Sequence, residues 1–138
     1  MKDLSNKVAI ITGSSSGVGA ATARLFASLG CHVVINYNAN SAGAEQVAKE
    51  CEELGVETVC FGGSVANDTD CVAMVKAAMD KWGRVDILVN NVGAGPKTVD
   101  DPPSHPLAPV EAVWNALYNQ NLLPTVLMSE AVVPHMRA

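Results

Sequence analysis

The chain has 138 residues, of which 49% are hydrophobic and 17% charged, and it carries a formal charge of −5. That balance excludes a disordered or low-complexity protein and suits one domain spanning residues 1–138. No basic block, long apolar run or signal-like N-terminus occurs, so neither a nucleic-acid partner, a membrane partner nor secretion is expected, and the location is read as cytoplasmic.

Residues 7–12 form a continuous apolar run ending at Gly13, the pattern of a strand buried on both faces. Residues 14–29 follow at helical period, with Val18, Ala21, Leu25, Phe26 and Leu29 sharing one face and Gly30 ending the helix. Residues 32–37 read as a second strand. Ser41 then reads as the cap of a helix with Ala44, Val47, Ala48, Cys51 and Leu54 on one stripe. Residues 56–61 make a third strand. Asn67 or Asp68 caps a third helix that turns Val72, Val75, Met79 and Trp82 inward, and residues 85–90 make a fourth strand.

Residues 93–109 read as a long irregular loop holding five of the seven prolines. Residues 110–136 then read as one long helix with Val113, Trp114, Leu117, Leu122 and Val126 among its apolar positions. The alternation of strand and helix predicts an α/β fold, a Rossmann-type parallel sheet with helices on both faces. Cys31, Cys51, Cys60 and Cys71 form no C-x-x-C pair and sit within apolar patterns. They read as buried small hydrophobes in a reducing compartment, with no metal site and no disulfide framework.

The segment Thr12-Gly13-Ser14-Ser15-Ser16-Gly17-Val18-Gly19 lies directly between the first strand and the first helix. Gly13 permits a tight turn. A side chain at Gly17 would block a pyrophosphate from the backbone, and Gly19 lets helix and sheet pack closely. The helix N-terminus favours an anion. The turn has no lysine, which excludes the P-loop of nucleoside triphosphatases.

The glycine motif at 12–19, together with Asn90-Asn91-Val92-Gly93 after Asp86-Ile87-Leu88-Val89, resembles the short-chain dehydrogenase/reductase family. The likeness runs over about residues 7–136, and within the family it is nearest to bacterial 3-oxoacyl-carrier-protein reductases and glucose dehydrogenases. The resemblance implies an oxidoreductase that moves a hydride between a nicotinamide dinucleotide and a small-molecule carbonyl or alcohol. It implies that Gly13, Ser14, Ser16, Gly17, Val18 and Gly19 line the diphosphate and adenosine ribose. Asn91, Val92 and Gly93 are then placed toward the nicotinamide side, and Tyr37, Asn38, Ser41, Ser64 and Val65 toward the adenosine. Thr12 and Asn90 hold the two motifs together, and Asn121 matches the Asn of the catalytic tetrad.

The second strand ends Asn36-Tyr37-Asn38-Ala39-Asn40-Ser41 without an acid to bind a ribose 2′-hydroxyl, and without a cation to clamp a 2′-phosphate. Asn38, Asn40 and Ser41 are neutral donors there. The reading leans to NADP, with NAD as the alternative. Three positions depart from the family pattern: Ser64 stands for an Asp that meets the adenine, Val92 for an Ala, and Pro124 for a Gly. Pro124 predicts a kink in the long helix.

The family's Tyr-x-x-x-Lys pair and its Ser are absent from these residues, and neither His105 nor His135 is a convincing substitute. The chain therefore reads as the nucleotide-binding part of such an enzyme, inactive by itself; the alternative is a half-domain without catalysis. An open edge at residues 85–90 and an uncovered face on the long helix predict self-association into a homo-oligomer.

Overall fold

Short apolar runs become parallel strands when both faces can be covered, and this chain supplies helices for both. A computed structural model of the chain describes residues 3–93 and 110–138; the expected proline-rich loop beyond Gly93, with His105, lies outside the described residues. Strands β1 (Val8–Ile11), β2 (His32–Tyr37), β3 (Thr58–Gly62) and β4 (Ile87–Val89) form one all-parallel sheet in the order β3-β2-β1-β4. The chain steps outward from β1 to β3, then returns to the other side of β1. That reversal opens a crevice at the carboxyl ends of β1 and β4, where ligands of open α/β sheets bind.

Strand alternation sorts the core. Ala9, Ile11, Val33 and Ile35 pack under α1 (Gly17–Ser28) and α2 (Ser41–Glu53). Val8, Ile10 and Val34 pack on the opposite face under α3 (Asp68–Trp82) and α5 (Leu123–Arg137). The Rossmann-type α/β fold with helices on both faces is therefore present.

The helix faces differ from expectation. Helix α1 starts at Gly17, and its inward stripe is Gly19, Ala20, Ala23 and Ala27; Val18 is 75% exposed and Leu25 is also exposed. The tight turn after β1 holds the start of this helix close to the sheet, which leaves room for small side chains only. In α2 the expected residues through Cys51 are buried, but Leu54 follows the helix end and is exposed. In α3 Val75 is buried and Met79 and Trp82 pack against the core as expected, Cys71, Met74 and Ala78 join them, and Val72 is outside.

Asn40, not Ser41, caps α2: its side chain accepts from the Gly43 N–H at 3.0 Å, and Ser41 is the first helical residue. Asn67 caps α3 as expected, accepting from the Asp70 N–H at 3.0 Å. Cys60 is exposed, contrary to expectation, because β3 is an edge strand with one face only partly covered. The other thiols are buried, and burial pushes those of Cys31, Cys51 and Cys71 up to about 11. They are neutral at physiological pH.

Strand β4 pairs with β1 and, among the described residues, with no second strand; it is shorter than expected, Ile87–Val89. Asp86 locks its register. The Asp86 carboxylate accepts the Val8 N–H at 2.9 Å, and the Asp86 N–H donates to the Val8 carbonyl at 2.9 Å. The Arg84 guanidinium beside it, and then the Val8 N–H, hold this carboxyl below its ordinary value against the opposing effect of burial.

The expected single long helix is interrupted. Helix α4 (Val110–Leu117) passes through a π-helical turn at Tyr118–Leu122 into α5. The Leu123 N–H reaches back five residues to the Tyr118 carbonyl, and the Asn121 side chain donates to the Leu117 carbonyl at 3.0 Å. Pro124 falls in the first residues of α5, so the irregularity is the π turn beside Asn121 and not a separate proline kink. Among the described residues no helix is long and apolar enough to cross a membrane.

Candidate functional site

The crevice is built from two turns fastened to each other. The Thr12 hydroxyl accepts the N–H groups of Asn91 and Val92 at 3.0 and 3.2 Å. The Asn91 side-chain amide donates to the carbonyls of Thr12 and Gly13 at 3.1 and 3.2 Å. Thr12 therefore holds the motifs together as expected, but its partner is Asn91. Asn90 is exposed, and among the described residues its side chain makes no such bond.

Two glycines serve different ends. A Cβ on Gly19 would stand 2.5 Å from the Gly13 carbonyl oxygen and 2.6 Å from Asn91 Nδ2. Gly19 thus admits contact between α1 and both turns, rather than between helix and sheet. Gly17 has φ +58°, and nothing lies within 4 Å of the place its Cβ would occupy. Its bare Cα faces open space in a left-handed conformation that suits glycine.

Helix α1 has no side-chain cap, whereas α2 and α3 are both capped by asparagine. Its first-turn amides and the positive end of its dipole are therefore available to an anion. Ser14 is not. It is fully buried, its hydroxyl donates to the Ile11 carbonyl at 2.7 Å, and it accepts the Asn36 N–H at 3.0 Å. The expected place of Ser14 in the ligand lining is thus corrected to a buried brace.

Two clefts meet at Gly13 and Val92. One, of about 140 Å³, is walled by Ser15, Asn36, Tyr37, Asn38 and the stretch Gly63-Ser64-Val65. The other, of about 450 Å³, is walled by Ser16, Val18, Asn91 and Gly93. The exposed Val18 that failed as a core residue is thus a cleft residue. Ser41 lies outside both clefts, exposed in the first turn of α2, and Asn40 is occupied as its cap. Of the neutral donors expected at the adenosine end, Asn38 lines the cleft.

Among the described residues no charged residue lines either cleft. Ser64 is fixed by its neighbours. Its N–H donates to the Asp70 carboxylate at 2.9 Å, and its hydroxyl accepts the Ala66 N–H at 3.2 Å. Val92 presents its side chain to both clefts, with one methyl 3.0 Å from where a Gly13 Cβ would stand. Asn121 lies against the second turn, its Oδ1 2.9 Å from the place of a Cβ on Gly93. Among the described residues no group of His, Cys, Asp and Glu is placed to hold a metal ion.

A crevice at the strand-order reversal, a glycine turn and an uncapped helix are the parts of a dinucleotide site. Residues 7–138 match the family model described as short chain dehydrogenase. The chain belongs to the short-chain dehydrogenase family. It is 35% identical over 132 residues to a 3-oxoacyl-[acyl-carrier-protein] reductase of Synechocystis sp., covering 96% of this chain and 51% of the relative. A hydroxysteroid dehydrogenase from Escherichia coli superposes with a TM-score of 0.83 at 31% identity, over 97% of this chain and 54% of that one. A 7α-hydroxysteroid dehydrogenase complexed with NADH and 7-oxo glycochenodeoxycholic acid superposes with a TM-score of 0.84 at 31% identity, over 97% and 49%. The chain thus spans about half the length of the curated relatives it matches.

Within this short-chain dehydrogenase chain, the sequence reading overlooked Ser15, Gly63 and above all Asn36. The signal for Asn36 was present: a carboxamide directly after the apolar run Val33-Val34-Ile35, within the same strand, has to find partners if the strand is buried.

Proposed function

We propose that this chain is the dinucleotide-binding part of a short-chain oxidoreductase that interconverts a small-molecule carbonyl and alcohol. The observation that carries the reading is the open, left-handed Gly17 beside the uncapped start of α1, at the mouth of a crevice lined by Ser16, Val18 and Gly93. The first-turn amides of α1 bind the diphosphate there, and the cleft at Tyr37, Asn38, Ser64 and Val65 takes the adenosine. A bound nicotinamide dinucleotide supplies or accepts the hydride. Asn121, held against Gly93 by the π turn, helps position a water for proton relay. The sequence contains no Tyr-x-x-x-Lys pair. We accordingly assign these residues coenzyme binding and no carbonyl reduction of their own.

The preferred coenzyme is NADP(H) over NAD(H), since among the described residues no carboxylate lines the adenosine cleft to repel a 2′-phosphate. The compartment proposed is the cytoplasm. Fluorescence titration tests the reading: NADPH saturates the chain and binds more tightly than NADH. Absence of saturable binding by both removes the proposed function, and tighter NADH binding reverses the coenzyme preference.

We also propose that the chain forms homo-oligomers through the α4–α5 face. Trp114 is 68% exposed there, and Tyr118, Leu122 and Val126 are exposed along the same helical stretch. Trp and Tyr are favoured anchors of protein interfaces. Sedimentation velocity should show an oligomer that Trp114→Glu shifts to monomer. A monomer at all concentrations before substitution would refute this interface.

A further inference from the structure

We infer that Asn36 is a positioning residue whose buried carboxamide ties the glycine turn after β1 to the end of β3, and thereby holds opposite walls of the adenosine cleft in place. The inference deepens the dinucleotide reading and rests on it. Asn36 is 2% exposed. Its Oδ1 accepts the Gly13 N–H at 3.0 Å. Its Nδ2 donates to the carbonyls of Phe61 and Gly63, each at 3.2 Å, with the Tyr37 carbonyl at 3.4 Å. The orientation of the amide is dictated by its partners, because the Gly13 N–H can only donate and the carbonyls can only accept.

The backbone of Asn36 adds to the tie. Its carbonyl accepts the Ser14 N–H at 2.9 Å, and its N–H donates to the Ser14 hydroxyl at 3.0 Å. Gly13 and Gly63 both line the cleft, and they belong to segments fifty residues apart in sequence. One side chain therefore spans three segments: the turn, β2 and the end of β3. An apolar residue would leave the Gly13 N–H without this acceptor, and an aspartate would keep that bond while turning an acceptor toward carbonyl oxygens. The tie also turns the Gly13 N–H into the protein, so anion binding falls to the amides that follow it in the turn.

The test compares Asn36→Ala and Asn36→Asp with the unchanged chain, reading Gly13 amide hydrogen exchange by NMR and NADPH affinity by fluorescence. The Gly13 amide should exchange slowly in the unchanged chain and in Asn36→Asp, and fast in Asn36→Ala. NADPH affinity should fall by about tenfold or more in both variants, the alanine losing the turn and the aspartate losing the β3 wall. Should Asn36→Ala fail to fold, the neutral variant Asn36→Ser replaces it: its short hydroxyl cannot span from Gly13 to the Phe61 and Gly63 carbonyls, so the same fall in affinity is expected without an added charge, and NADPH binding within about twofold of the unchanged chain overturns the assignment. Slow Gly13 exchange in a folded Asn36→Ala, or variants that bind NADPH within about twofold of the unchanged chain, would overturn the assignment. If the unchanged chain binds neither NADPH nor NADH but the exchange pattern holds, the tie stands and the coenzyme reading fails.

Discussion

Gly19→Ala should lose about 3 kcal/mol of stability, roughly 10 °C in Tm, because one methyl group has nowhere to go. Its Cβ would stand 2.5 Å from the Gly13 carbonyl oxygen, 2.6 Å from Asn91 Nδ2 and 2.9 Å from Ser14 Cα. Two of these are backbone atoms, and the third is an amide already donating to Thr12 and Gly13. None is the free end of a flexible side chain, so relief requires the first turn of α1 to move off the glycine turn. That movement separates the elements that make the crevice, and NADPH binding should be lost with the stability. Urea unfolding and coenzyme titration on the same preparation check the pair. A variant that melts and binds like the unchanged chain would show that the two turns are not in the contact described.

Gly17→Val should give the opposite balance. Nothing lies within 4 Å of its Cβ position, so the first added carbon meets no neighbour. The residue is held at φ +58°, and a side chain in that region costs about 1–2 kcal/mol. The added methyl groups project into the open space at the uncapped end of α1. Excluding a diphosphate from even two charged hydrogen bonds there removes about 3 kcal/mol of binding, or about a hundredfold in Kd. The chain should therefore stay folded with a modest loss of Tm and bind NADPH at least about a hundredfold more weakly. Unchanged affinity in this variant would place the diphosphate elsewhere. Two glycines two residues apart are thus separable by experiment, one required for packing and one for the ligand.

The strands could be read from sequence because burial on both faces leaves a continuous apolar run, as in residues 7–12 and 32–37. The glycine turn could be read because its place between strand and helix restricts what it can be. The inward faces of α1 and α3 could be read only in part: Phe26, Val75, Met79 and Trp82 do pack against the core, whereas Val18, Leu25 and Val72 are exposed. Ala20, Ala23 and Ala27 recur at the same helical period as Val18 and Leu25, and periodicity does not say which stripe faces the sheet. How closely a helix approaches the sheet decides that, and for α1 the approach is set by Gly19 against a turn from elsewhere in the chain.

The site divides along the same line. Sequence by itself determined that this protein has a parallel α/β sheet, a glycine turn without a phosphate-binding lysine, and a second motif ending in Gly93. Those properties come from local residue chemistry and short-range spacing. Only the tertiary structure decided that Ser14 is a brace and not a ligand contact, that Asn91 and not Asn90 joins the two motifs, and that Asn36 links the turn to β3. Apart from the local Ser14–Ile11 bond, these are long-range hydrogen bonds between groups 22 to 79 residues apart, and a buried polar side chain does not declare its partner until the fold has brought the donors and acceptors together.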